Sequence, residues 1–347
     1  MAKKATGGSA GSEQLKNDLK QKSLGRFYVL CGEEDYLCRH YLAQIKKQLL
    51  DDLTADFNYH HLTPENFDLQ SLADSIEALP MMAERSLIQI DDVDFFELGE
   101  GDREAVTQLL GELPDYCCLV LCCGEFKPDK RKKKLWEVLE KQAVIAEFAY
   151  QSESDLRAWI VRHFKAGGKF IAPELATYLL GQCGLSMTRL HGEIGKLCAY
   201  APGDTVTRED IDAVVEPTLE AVVFEITDAL GQREFDRALQ RLYVMLKLRA
   251  EPISVLAAIG SQMRRLRAAR VLLSEGRSGQ ELAELCGIAP FAANKTMTQA
   301  RRLSDRFCER AVLLCRDCDW QMKTSYDEPQ RILELLILSL AEEARHD

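Results

Sequence analysis

The residues most able to do chemistry follow an apolar run near the start of the chain. The run from Arg26 to Gly32 reads RFYVLCG and predicts a buried strand, after which apolar periodicity predicts a helix. An ATP-binding P-loop at such a junction needs a glycine-rich turn followed by Lys and then Ser or Thr. The chain has instead one glycine and three acids, Gly32, Glu33, Glu34 and Asp35. Three carboxylates would repel phosphate, so we interpret the turn as a degenerate nucleotide site.

A pair of acids, Asp91 and Asp92, ends the apolar run that begins near Ile88. ATPases hold magnesium with carboxylates at the end of such a strand, and the metal there bridges to a bound nucleotide. The lysine of a P-loop is missing from this chain, so the acids are interpreted as a vestige or as an ordinary strand end. We therefore expect no metal and no cofactor.

Two methionines, Met81 and Met82, follow a predicted helix that ends at Leu79 and Pro80. Their side chains are long, apolar and flexible, and thioethers adapt well to irregular pockets on a partner. The residue pattern alone favours the simpler role of covering the local core.

The densest basic run, KPDKRKKK, occupies residues 127–134. It could contact the phosphates of DNA, contact a neighbouring subunit, or form a solvated helix start. The pattern leaves these alternatives open. The candidate residues are Lys130, Arg131, Lys132, Lys133 and Lys134.

No set of residues in the chain matches an enzyme's catalytic motif. Cys315 and Cys318 form a lone CxxC inside a predicted helix, without a second ligand pair at a spacing that suits zinc. A structural role is expected for both. The histidines are scattered, and none has a nucleophile beside it in a recognisable motif.

The elements that position these residues change character along the chain. Strands predicted at residues 26–31, 57–62, 86–90, 117–122 and 144–148 alternate with helices, which indicates a parallel sheet with helices on both faces. From residue 152 onward the pattern is helical throughout. We expect a disordered Gly/Ser-rich tail over 1–23, an α/β domain over 24–150 and two helical domains over 151–217 and 218–347.

Composition excludes several classes of protein. The chain has 347 residues, of which 46% are hydrophobic, so it can bury a sizeable core. Its net charge of −11 argues against a protein that coats nucleic acid by bulk charge. The apolar runs are too short for a membrane span, and the N-terminus lacks the apolar segment of a signal peptide. A cytoplasmic location without membrane contact is expected.

The order of the domains and several stretches together resemble one family, the delta subunit of the bacterial DNA polymerase III clamp loader. The first stretch is FYVLCGEEDYL, which has acidic residues where a working P-loop would have its lysine. The others lie at residues 78–90, 127–148, 190–215 and 224–253, and the last is Asp319 with Lys323 before the final helix. Each stretch is weakly specific, but their order and spacing together are fairly specific.

The resemblance implies an AAA+-like α/β domain with a degenerate P-loop, a small helical lid and a C-terminal helical collar. It implies no activity of its own, neither ATP hydrolysis nor DNA polymerisation. The implied partners are the sliding clamp (beta subunit), gamma/tau-type and delta-prime-type subunits in a hetero-pentamer, and primed DNA. The family's clamp contact falls on Met81 and Met82, where members often have Leu-Phe. The alternatives are an active AAA+ ATPase and a DNA-binding adaptor.

Overall fold

The computed structural model describes residues 10–51, 53–124, 126–247, 251–288 and 290–346. The chain divides into two compact units. One takes in the residues up to Ser152 together with Ser186–Thr188, and the other takes in Glu153–Leu185 and the residues from Arg189 onward. The predicted boundary at residue 150 lies close to this division. The boundary between lid and collar at residue 217 stays a prediction.

The first unit is built on a five-stranded sheet in which every neighbouring pair of strands is parallel. The strands are β1 (Phe27–Cys31), β2 (Tyr59–Leu62), β3 (Ser86–Asp91), β4 (Cys117–Cys123) and β5 (Val144–Glu147), in the spatial order β2-β3-β4-β1-β5. Both faces of the central strands are buried, which explains why β1 and β4 are apolar along their length. The predicted fold class is confirmed.

Helices cover both faces of this sheet. They are α1 (Ala10–Gln21), α2 (Asp35–Leu49), α3 (Ala55–Asn58), α4 (Leu69–Glu77), α5 (Glu100–Gly111) and α6 (Lys133–Gln142). One core lies beneath α1 and α2 and contains Leu15 and Ile45. The other lies beneath α4, α5 and α6 and contains Leu72, Val106 and Leu135. Each of these helices except α3 is therefore held by one apolar face.

The prediction of a disordered tail over residues 1–23 is wrong for residues 10–21, which form α1. This helix packs against β5, and its Leu15 is fully buried. Gly11 lies so close to the strand that a Cβ atom there would stand 1.9 Å from the carbonyl oxygen of Ile145. A glycine is therefore required at this point in the helix. Residues 1–9 of the predicted tail lie outside the described residues.

The second unit is helical. Its helices are α7 (Glu153–Ala166), α8 (Pro173–Cys183), α9 (Met187–Tyr200), α10 (Arg208–Val214), α11 (Leu219–Gly231), α12 (Phe235–Lys247), α13 (Pro252–Ser274), α14 (Gly279–Cys286), α15 (Pro290–Ala300), α16 (Asp305–Thr324) and α17 (Pro329–Arg345). Every helix from α11 through α17 contributes side chains to one apolar core. Among the described residues, we find no helix with both the length and the apolar character needed to cross a membrane.

Candidate functional site

The turn between β1 and α2 contains Gly32 and the acids that were predicted to form a degenerate nucleotide site. Gly32 adopts φ +121°, and a Cβ atom there would lie 2.3 Å from the carbonyl oxygen of Phe148. The turn therefore needs glycine. The N–H of Gly32 donates to the carbonyl of Gly124, and the N–H of Glu34 donates to the carbonyl of Phe148, both at 3.0 Å. In a P-loop, backbone N–H groups of this turn bind phosphate, whereas here two of them bind the protein.

Glu34 brings a carboxylate to the N-terminus of α2. Its side chain is buried, at 4% exposure, whereas Glu33 beside it is exposed. Burial raises the pKa of Glu34, the nearby backbone N–H of Tyr36 lowers it, and the charge of Asp35 raises it. Helix N-termini attract anions, and here the chain itself places acids at the N-cap, Glu34, and in the first turn, Asp35.

The acids at the end of β3 are engaged within the sheet. The carboxylate of Asp91 lies 2.7 Å from Nε2 of His61 on β2, and it accepts a hydrogen bond from Gln89 at 2.7 Å. Asp92 follows in a left-handed conformation with φ +53°. The arrangement ties β2 to β3, which agrees with the interpretation of Asp91 as a strand end.

Met81 and Met82 lie in the segment between α4 and β3, and their side chains face solvent. Met81 is 51% exposed and Met82 is 88% exposed, and Leu79 just before them is 75% exposed. Three large apolar side chains thus form an exposed apolar patch, which we call the wedge. The residue pattern alone favoured methionines that cover the local core, and this exposure does not agree with that role.

The backbone segment that carries the wedge is held by polar contacts at its centre and at its end. Asn58, which is 1% exposed, donates from Nδ2 to the carbonyl of Met81 at 2.9 Å and accepts from the N–H of Met81 at 2.7 Å. The guanidinium of Arg85 donates to the carbonyls of Leu24, Gly25 and Cys117 at 2.6, 2.7 and 2.9 Å. The backbone on which the methionines stand is therefore fixed while their side chains remain exposed.

Sequence reasoning missed Asn58 because it lies 23 positions before Met81 and belongs to no motif. For Asn58 the sequence carries no signal, since its role depends on a tertiary contact.

The basic run at the start of α6 is largely engaged with the protein itself. Arg131 pairs with Asp129 at 2.9 Å, and Lys134 pairs with Glu104 at 2.9 Å. Lys132 donates to the carbonyl of Phe96. The ammonium of Lys130 lies 5.0 Å from the ring centroid of Trp136, and Lys133 is exposed. These contacts reduce the charge that the run offers to another molecule.

Cys315 and Cys318 are buried in α16 and belong to the core of the second unit. Burial raises the pKa of Cys315 to about 12 and that of Cys318 to about 11. Both thiols are therefore protonated at neutral pH and act as small apolar side chains.

Family models and related proteins match this chain over most of its length. A model of the family "DNA polymerase III, delta subunit" matches residues 28–149, and a model of the "DNA polymerase III delta subunit, C-terminal domain" matches residues 220–340. The chain is similar to DNA polymerase III subunit delta of Bacillus subtilis, with 28% identity over 93% of this chain and 94% of the relative. It is also similar to the probable DNA polymerase III subunit delta of Aquifex aeolicus, with 23% identity over 91% of each chain.

A solved structure, that of the Bacillus subtilis DNA clamp loader delta protein, resembles this fold with a TM-score of 0.69 and 26% identity. The match covers 95% of this chain and 99% of the other. The family models fall on both units, and the relatives match nearly end to end. The chain therefore belongs to the family of DNA polymerase III delta subunits.

Proposed function

We propose that this chain is the clamp-binding subunit of a replicative clamp loader, and that the wedge is its contact with the sliding clamp. The observation that carries the proposal is the wedge itself, in which Met81 and Met82 are exposed on a fixed backbone. Apolar anchors presented in this way are typical of residues that dominate binding energy in protein interfaces. The Bacillus subtilis protein of similar structure is a DNA clamp loader delta protein, which supports the same role.

The proposed mechanism is differential binding. If the wedge binds the clamp more tightly when one clamp interface is released, binding shifts the clamp towards its open form. The shift equals the difference between the two affinities. Gamma/tau-type and delta-prime-type subunits would complete the hetero-pentamer, supply ATP hydrolysis and bring the clamp to primed DNA.

The internal carboxylate of Glu34 supports a role without ATP turnover by this chain. To bind phosphate through this turn, ATP would have to break the hydrogen bonds of the Gly32 and Glu34 amides. An active ATPase, the alternative function, would require measurable ATP binding by the isolated chain.

The test is the affinity of the full chain for the sliding clamp of its own organism, compared with that of the Met81→Ala/Met82→Ala variant. We expect the variant to lose about 2 kcal/mol or more, roughly thirtyfold in Kd. Leu335→Ala/Leu338→Ala is the matched control, because it removes two half-exposed apolar side chains from α17. Far-UV circular dichroism checks that each variant folds. Failure of the unaltered chain to bind the clamp would overturn the proposal, and unchanged affinity in the methionine variant would overturn the assignment of the wedge.

A further inference from the structure

We propose that Asn58 is the positioning residue of the wedge: its buried amide holds the backbone of Met81 in the conformation that binds the clamp. This inference rests on the proposed function. Asn58 hydrogen-bonds the backbone of Met81, and it therefore acts on the segment that carries the exposed methionine side chains.

The chemistry of the contact requires an amide. Met81 offers one donor and one acceptor, its own N–H and C=O, and the side chain of Asn58 meets the first with Oδ1 and the second with Nδ2. Reversing the amide would set N–H against N–H and oxygen against oxygen. A carboxylate could accept but not donate, and an apolar side chain would leave the N–H and C=O of Met81 without this partner. Asparagine therefore reproduces the pairing that a neighbouring strand would give to Met81.

The position of Asn58 in the fold explains how it can hold the segment that carries the wedge. It is the last residue of α3, and β2, which begins at the next residue, pairs with β3. The wedge segment runs from the end of α4 to the start of β3. Its ends are fixed by the bond from Ala78 N–H to the carbonyl of Asp74 at 3.0 Å and by that from Ser86 N–H to the carbonyl of Tyr116 at 2.8 Å. Asn58 fixes its middle.

The backbone of the wedge needs such support. Met82 adopts φ +53°, a left-handed conformation that is unfavourable for a side chain with a Cβ atom. Conformations of this kind persist only where the surroundings impose them. Without Asn58, the segment would sample other conformations when free, and binding would have to order it again. We expect Asn58→Ala to weaken clamp binding about tenfold, the cost of fixing one or two residues.

The experiment measures the Kd of the full chain for its sliding clamp in four proteins: unaltered, Asn58→Ala, Met82→Ala and the double variant. If Asn58 acts through the wedge, its substitution costs clearly less affinity in the Met82→Ala background than in the unaltered chain. Amide hydrogen exchange of the peptide spanning 78–85 should speed up in Asn58→Ala without clamp. Ser75→Ala is the control, because it removes a buried hydroxyl from α4 that donates to the carbonyl of Ser71.

Equal losses in both backgrounds, or unchanged exchange over 78–85, would overturn the positioning role while the proposed function stands. Absence of clamp binding by the unaltered chain would overturn the proposed function and this inference with it. If Asn58→Ala does not fold, Asn58→Asp replaces it, since this variant has the same shape and keeps only the acceptor. Its expected result is the same direction of change in Kd and in exchange, and unaltered values would contradict the proposal.

Discussion

Glu34 is buried, whereas its acidic neighbours Glu33 and Asp35 are exposed. The sequence presents three acids in a row and predicts repulsion of phosphate from all of them. The backbone turn at Gly32 places one of the three inside the protein. Which acid is buried depends on the turn geometry, so the sequence predicted the charge of the site but not its internal carboxylate.

The buried carboxylate makes stability depend on pH. Burial and the charge of Asp35 raise the pKa of Glu34 above its unfolded value, so the folded state favours the protonated form. The associated stability is fully present below the unfolded pKa and is lost as pH rises through the folded pKa. We expect Glu34→Gln to unfold at a higher temperature than the unaltered chain at pH 7, with the difference shrinking towards pH 4.

Thermal unfolding at several pH values measures this difference. Glu33→Gln is the matched control, since it removes an exposed acid one position away. A Glu34→Gln protein less stable than the unaltered chain at pH 7 would show that the carboxylate is favourable to the fold.

At the scale of elements, apolar periodicity predicted every strand and most helices. The predicted strands at 86–90 and 117–122 agree with β3 and β4 to within one residue, because both are buried on two faces. The two missed helices have weak signals. α3 is a single turn, and α1 has few apolar residues and begins in Gly/Ser-rich sequence. The stability of α1 comes from packing against β5, which no local pattern reports.

A buried polar cluster joins three helices of the second unit. Gln299 on α15 accepts from Gln262 on α13 at 3.0 Å and donates to Thr227 on α11 at 3.1 Å. All three side chains are buried. Because these side chains pair with one another, the cluster is compatible with a buried environment, and losing Gln299 leaves the Gln262 amide without its acceptor.

We expect Gln299→Leu to destabilise the chain by about 1–3 kcal/mol, since it leaves the Gln262 amide buried without its acceptor. Urea unfolding followed by circular dichroism measures the change in the free energy of unfolding. Thr298→Ala, at the exposed neighbouring position, should stay within about 0.5 kcal/mol of the unaltered chain. A Gln299→Leu protein as stable as the control would show that the cluster does not hold the helices together.

At the scale of the whole molecule, charge limits what the isolated chain can bind. The chain carries a net charge of −11, and the basic run of α6 pairs with Asp129 and Glu104 of the same unit. We expect weak binding of the isolated chain to duplex DNA, with a slope of log K against log salt of about −2 or shallower. Fluorescence anisotropy of a labelled duplex between low and moderate salt measures the slope. A slope near −5 or steeper would favour the DNA-binding adaptor instead.

The packing of α1 has a practical consequence for anyone who shortens this protein. β5 is the outermost strand on its side of the sheet, and α1 lies against it with Gly11 at the carbonyl of Ile145. An uncovered outer strand offers unpaired backbone groups to other molecules and promotes aggregation. Removing residues 1–23 would therefore uncover β5 and yield a product that aggregates. Removing only the residues before Ala10 would leave α1 in place against β5.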